Sequence, residues 1–239
     1  MTEDPWQPGP SRPRLADATV DVWLVALDAA GDDAPLSEDE RERAARFLRA
    51  EDGARWASAR GVLRELLAAY TDADPRALRF AEGPHGKPRL AEPASRAGKP
   101  ALAGDDAPSR ALRFNVSHSG DTALVALARG REVGVDVELP RRAVDHVAVA
   151  RRALPAADAD EIAATADPAA RERAFLRAWT RWEAVLKCRG TGIGAVHETA
   201  AEPQPWVAQL PIAPPAAAAV AVEGGPCAVR TFRWPAAAA

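Results

Sequence analysis

Gly134-Val135-Asp136-Val137-Glu138 is the run around which the rest of the chain is organised. A hydrophobic residue stands at every second place, so the run reads as a strand, and Asp136 and Glu138 project side by side from one face. Two carboxylates held that close repel each other unless a cation lies between them. One or two hard carboxylate ligands, completed by water and substrate phosphate, describe a magnesium site. The solvent face of an antiparallel strand shows the same alternation, so the pair takes its meaning from the rest of the chain.

The neighbouring segments supply polar chemistry. Leu112 to Gly120 reads as a strand entering a polar turn that carries Ser117, His118 and Ser119. Ser117 and His118 are adjacent and point to opposite sides of an extended chain, which argues against a nucleophile and its base. They suit phosphate or base contacts, or else a capped turn with a satisfied histidine. Thr122 to Ala128 and Glu132 to Leu139 then read as two strands joined by Arg129-Gly130-Arg131, a hairpin pattern.

Downstream, helical segments are expected near Val144 to Leu154 and Ala157 to Ala164. Pro168 opens a longer helix, at a position where its missing N–H costs nothing. That helix runs through Trp179 and Glu183 to about Lys187 and stops at Gly190-Thr191-Gly192. Glu183 and Lys187 are one turn apart on one face. A surface ion pair of that kind is worth roughly a few tenths of a kcal/mol. Trp179 and Leu186 read as core. Ala217 to Val222 and Ala228 to Phe232 read as short antiparallel strands between Pro-rich and Gly-Gly turns.

Upstream, Met1 to about Asp17 is proline-rich and is expected to be a disordered tail. Thr19 to Leu27 reads as a strand, followed by a polar turn from Asp28 to Pro35. Ser37 reads as the N-cap of a helix from Glu38 to Arg49, with acids filling its first turn. A second helix is expected from about Glu51 to Tyr70, with Val62, Leu63, Leu66 and Leu67 as its apolar stripe. Arg41, Arg43, Arg46, Arg49, Arg55 and Arg60 lie on these two helices. Most read as a solvated face paired with nearby acids, but their excess leaves room for a phosphate-binding edge. Leu78 to Ala81 reads as a short strand leading to Gly86-Lys87-Pro88, a lysine on a stiff turn. The Ala-, Pro- and Gly-rich run from Ala91 to Arg110 reads as a flexible surface insertion.

Composition bounds the class. A chain of 239 residues, 47% hydrophobic and 27% charged, is an ordinary globular protein, as one large domain or two small ones packed together. The net charge of -3 gives no general nucleic-acid signal. Cys188 and Cys227 are too few for a disulfide framework, no apolar run is long enough to span a membrane, and the N-terminus has no apolar core of a signal peptide. A cytoplasmic protein is expected.

Taken together, Phe114-Asn115-Val116-Ser117-His118-Ser119-Gly120, Gly134 to Glu138 and Trp179-Thr180-Arg181-Trp182-Glu183-Ala184-Val185-Leu186-Lys187, preceded by Gly86-Lys87-Pro88, resemble the 4'-phosphopantetheinyl transferases of the long, single-chain type. The resemblance covers roughly Thr19 to Trp234 without the insertion. It implies an α/β fold of two similar halves related by a pseudo-twofold, here 18–120 and 121–235, with the active site between them. It implies transfer of the phosphopantetheine arm of coenzyme A to a serine of an acyl or peptidyl carrier protein, releasing adenosine 3',5'-bisphosphate. By position, Asp136, Glu138 and Glu183 would hold magnesium, with manganese as the alternative. Lys187 would contact the phosphates, and Glu183 is the candidate base. Ser117, His118, Lys87 and Pro88 would touch coenzyme A, and Arg43 and Arg55 would meet its 3'-phosphate. The single-chain form points to a monomer. One departure is Trp182, which stands where the family often has a lysine or other polar residue and cannot supply a positive charge. Two rival readings use the same residues: a magnesium-dependent pyrophosphate hydrolase, and a non-catalytic protein of this fold that binds coenzyme A or carrier.

Overall fold

A strand that is apolar on both faces needs cover on both sides, and Thr19–Ala26 is such a strand: Val20, Val22, Trp23 and Val25 are all 0–1% exposed. The structure, a computed structural model, describes residues 4–27, 35–83, 85–91, 112–141, 144–191 and 203–235. Within these the strands are Gln7–Pro8 (β1), Thr19–Ala26 (β2), Phe80–Glu82 (β3), Pro88–Leu90 (β4), Leu112–Ser119 (β5), Thr122–Arg129 (β6), Val133–Glu138 (β7), Trp206–Gln209 (β8), Ala217–Val222 (β9) and Ala228–Arg233 (β10). The helices are Glu38–Ala45 (α1), Ala50–Thr71 (α2), His146–Ala153 (α3), Ala156–Ala164 (α4) and Pro168–Arg189 (α5). Residues 28–34 of the turn expected at 28–35, residues 92–110 of the insertion expected at 91–110, and Gly192 lie outside the described residues.

The result is a mixed α/β protein whose core sits in layers. A five-stranded sheet in the order β1-β10-β2-β6-β5 carries α2 on one face, where Leu63, Leu66 and Leu67 meet Trp23, Val25, Phe114 and Val125. Its other face, through Val20, Val22, Leu124 and Ala126, meets Val133, Val135, Val137, Val220 and Val222 of a three-stranded sheet in the order β7-β9-β8. α5 covers the far side of that second sheet, where Ala184 and Cys188 pack on Ala219 and Ala221. Each fully buried valine or leucine in these layers contributes roughly 1.5–3 kcal/mol.

The close seat of α5 on β7 depends on one glycine. A Cβ on Gly134 would lie 2.1 Å from the Ala184 carbonyl oxygen and 2.3 Å from the Cys188 nitrogen. No other residue lets the helix backbone approach that far. The helix that bears Glu183 and Lys187 is thereby pressed against the strand that bears Asp136 and Glu138.

Several local readings hold. Ser37 caps α1, its hydroxyl accepting from the Glu40 N–H while the Glu40 carboxylate accepts from the Ser37 N–H, a full capping box. Asp167 caps α5 with a proline in the first turn, and Gly190 ends it in the left-handed region at φ 68°. The expected helix to Arg49 stops at Ala45 instead, because the end of α1 turns back onto α2 at Gly53, whose Cβ would meet the Ala44 carbonyl at 2.4 Å.

Three expectations are corrected. The tail is not disordered over residues 4–17: Trp6 and Leu15 are buried, Gln7 and Pro8 pair with Phe232 and Arg233, and the Trp6 indole donates to the Pro211 carbonyl. Isolated apolar anchors in a proline-rich segment found partners some two hundred residues away in sequence. β6 and β7 do not form a hairpin. β6 pairs with β2 and β5, whereas β7 pairs with β9 in the other sheet, so Arg129-Gly130-Arg131 carries the chain between sheets. The tight hairpin is β5–β6, turning at Gly120 with φ 60°. Finally, β10 is parallel to β2 rather than antiparallel to its neighbour, so strands of the expected halves 18–120 and 121–235 interleave in one sheet.

Candidate active site

Asp136 lies on the α5 side of β7 and is 3% exposed. Its Oδ1 accepts from the Ser117 hydroxyl at 2.8 Å and from the Lys187 ammonium at 2.6 Å, while its Oδ2 is buried with no hydrogen-bond partner. Lys187 also donates to Ser117 Oγ at 3.0 Å. Glu138, two residues along the same face, accepts from Ser119 at 3.1 Å and from Arg141 at 3.1 Å. Glu183 stands one turn before Lys187 on α5, half-buried, and makes no hydrogen bond or ion pair among the described residues.

The three acids share one electrostatic environment. Burial raises the Asp136 carboxyl above its ordinary value, against the pull of Lys187 and Ser117. Burial and then the Asp136 charge raise Glu138. Burial also raises Glu183, where the attraction of Lys187 is opposed by Asp136 and Glu138. Groups that disfavour one another's ionised forms in this way are relieved by a cation. Among the described residues, however, no three acidic, histidine or cysteine side chains are gathered into a ligand cage, and Lys187 pairs with Asp136. The donor set of hard oxygens and the orphaned Oδ2 fit a divalent cation. Lys187 makes its ion pair with Asp136, largely buried, rather than with Glu183 one turn away.

Across β5 from Ser117, on the side of Val116 and His118, opens a cleft of about 620 Å³. Arg43, Arg60, Arg64, Arg79 and His118 line it together with Trp56, Phe80 and Pro88. Its wall is held by a buried ion network. Glu40 receives Arg60 at 2.6 Å and Arg64 at 2.7 Å, and Arg64 is 2% exposed. The Arg60 guanidinium lies 3.7 Å over the Phe80 ring, and Arg43 lies 5.2 Å over Trp56. Burial opposes the ionisation of Glu40, but the bonds from Arg64, Ser37 and Arg60 prevail and bring its carboxyl down to about 2.

The expected site residues divide accordingly. Asp136, Ser117 and Lys187 are in direct contact, and Glu138 and Glu183 feel their charges. Arg43, Pro88 and His118 line the cleft. Ser117 and His118 do face opposite ways, Ser117 buried and His118 exposed. Arg55 pairs with Glu51 at 2.8 Å, next to the cleft residue Trp56 on α2. Lys87 is turned elsewhere: its ammonium donates to Glu132 at 2.7 Å and to the carbonyls of Val133 and Cys188 at 3.0 and 3.1 Å. Those bonds fasten the β3–β4 turn to β7 and α5, and the Lys87 side chain does not line the cleft. Arg60 and Arg64, four apart on one helical face, were the available signal for the cleft wall. Glu40 hid its role behind an ordinary capping position.

A cleft bearing four arginines and four acids, across β5 from carboxylates suited to a hard cation, offers the chemistry that an enzyme for phosphorylated substrates needs. The comparisons with known proteins agree. Residues 132–219 match the model of the 4'-phosphopantetheinyl transferase superfamily, and residues 32–129 match that of the 4'-phosphopantetheinyl transferase N-terminal region. The chain is 32% identical over 203 residues to the 4'-phosphopantetheinyl transferase HetI of Nostoc sp., covering 83% of this chain and 80% of the relative. It is 31% identical over 157 residues to the 4'-phosphopantetheinyl transferase AcpT of Escherichia coli, covering 66% and 67%. With the human L-aminoadipate-semialdehyde dehydrogenase-phosphopantetheinyl transferase it shares 25% over 177 residues, 72% of this chain and 52% of the relative. The chain belongs to the 4'-phosphopantetheinyl transferase superfamily and is a transferase. No helix among the described residues is long and apolar enough to cross a membrane.

Proposed function

We propose that this chain moves the 4'-phosphopantetheine arm of coenzyme A onto a serine of an apo acyl or peptidyl carrier protein. The serine oxygen forms a bond to the phosphorus that bears the pantetheine arm. The bond from that phosphorus to the bridging oxygen breaks, and adenosine 3',5'-bisphosphate leaves with the electron pair. The observation that carries this reading is the buried Asp136 with one oxygen held by Ser117 and Lys187 and the other unpartnered, across β5 from the arginine-bearing cleft.

Asp136, Glu138 and Glu183 would hold a divalent cation, magnesium or manganese, whose charge would offset that of the pyrophosphate. The protein's own groups do the rest by position and charge. Arg43, His118 and Pro88 wall the cleft where the nucleotide end of coenzyme A would lie, and Arg55 remains the second candidate for its 3'-phosphate. Lys187 exchanges its contact with Asp136 for a phosphate oxygen and offsets charge on the departing group. Glu183, free of other partners among the described residues, takes the proton of the attacking serine.

The test is to incubate the protein with coenzyme A, magnesium and several apo carrier proteins and to weigh the carriers by mass spectrometry. Gain of one phosphopantetheine arm is expected. No gain on any carrier would refute the proposal, and breakdown of coenzyme A without a carrier would favour a hydrolase.

A further inference from the structure

β7 has one edge paired with β9 and presents its other edge to β5, yet no backbone ladder joins β5 to β7. Side chains of β5 replace it. The Val135 N–H donates to Asn115 Oδ1 at 2.9 Å, the Val137 N–H to Ser117 Oγ at 3.4 Å, and the Leu139 N–H to Ser119 Oγ at 3.1 Å. Alternate residues on one strand thus serve alternate residues on the other, in one register.

The register places each rung beside a different β7 side chain. Asn115 falls beside Gly134, which has none. Ser117 falls beside Asp136 and Ser119 beside Glu138, and each serine donates its proton to that carboxylate, at 2.8 and 3.1 Å. The direction of these bonds is fixed by the other contacts. Ser117 Oγ already accepts from Val137 and Lys187, and Ser119 Oγ already accepts from Leu139, so each single hydroxyl proton is left for the acid. Both serines are buried, at 5% and 4% exposure. One oxygen of each carboxylate is gripped in this way, and for Asp136 the other is buried without a partner.

We infer that Ser119, paired with Ser117, is a positioning residue: the two hydroxyls hold Asp136 and Glu138 each by one oxygen so that the second oxygen faces the cation. This rests on the reading of those acids as cation ligands. It also gives Ser119 a task distinct from contact with coenzyme A.

The test measures binding of manganese alone, by its effect on water proton relaxation, with no coenzyme A or carrier present. Wild type is expected to bind manganese and Asp136→Asn to lose it. Ser119→Ala is expected to bind about 10–100-fold more weakly, the usual cost of removing a group that orients a ligand, and Ser119→Thr to recover most of that loss. Should Ser119→Ala not fold, Ser119→Cys keeps the shape, weakens both bonds and carries the same expectation. If wild type and Asp136→Asn bind alike, the cation reading itself fails. If Asp136→Asn loses the metal while Ser119→Ala and Ser119→Cys bind as wild type does, the cation reading stands and the positioning inference is overturned. Equal weakening in Ser119→Thr and Ser119→Ala would also overturn it, since packing rather than the hydroxyl would then be at work.

Discussion

Glu40→Gln should destabilise the protein in a manner that vanishes on acidification. The Glu40 side chain is 10% exposed and faces Arg60 and Arg64, at 16% and 2% exposure. Its carboxyl falls from an ordinary 4.5 to about 2 in the folded protein. At 1.36 kcal/mol per tenfold change in proton affinity, that drop corresponds to about 3 kcal/mol of folding stability. The folded state therefore binds fewer protons than the unfolded state between these two values. The contribution is complete above about 4.5, the unfolded value, and is lost as pH falls through 4.5 toward about 2. Glutamine keeps the size but removes the charge, leaving Arg64 buried against a neutral amide, a mechanism of similar cost. Denaturant unfolding at a series of pH values reads the difference directly. At neutral pH the variant should be less stable by about 3 kcal/mol, and the gap should narrow steadily below 4.5. A gap under about 0.5 kcal/mol at neutral pH, the ordinary range for surface changes, would refute the network's role. So would a gap that stays constant into acid.

Asp136→Ala should lower carrier modification at least about 100-fold, because a cation ligand and the anchor of Lys187 go together; wild-type turnover in a folded variant would refute the ligand assignment. Gly134→Val should cost about 3 kcal/mol or more, or prevent folding, since its side chain would enter the α5 backbone; an unchanged melting temperature would show that α5 does not sit there. Lys87→Met should lower the melting temperature through loss of three charge-assisted bonds while shifting the KM for coenzyme A far less; a large rise in KM without loss of stability would return Lys87 to the coenzyme A site. Chelation should abolish transfer, and magnesium or manganese should restore it; full turnover in chelator would exclude a cation at the three acids.

Local pattern carried the chemistry. The alternation of Gly134 to Glu138 placed Asp136 and Glu138 on one face, the four-residue spacing placed Glu183 and Lys187 on one helical face, and Ser37, Pro168 and Gly190 stand at helix ends where their residue types require. These are consequences of a strand's period of two and a helix's turn, and short-range geometry fixes them. The motif order carried the family as well, because it preserves the residues that meet at the site.

Tertiary structure decided which of those residues meet, and which strand joins which sheet. β6 and β7 carry the same turn signal between them as a true hairpin, and only the cover required on both faces of each strand sends them to different sheets. Trp6 and Leu15 stand alone in a proline-rich segment, and each finds its partners in a different core cluster of the folded protein. Lys87 stood in a turn that suits ligand contact, yet three acceptors from β7, α5 and the β6–β7 link claim its ammonium. The acids, the lysine and the elements that carry them are legible in the chain, because those depend on neighbours a few residues apart. Their burial, the grip of Ser117 and Ser119, and the pairing of Lys187 with Asp136 depend on contacts 19 to 70 residues apart. Contacts at that range are chosen by how whole layers pack, and packing is not written in any single stretch.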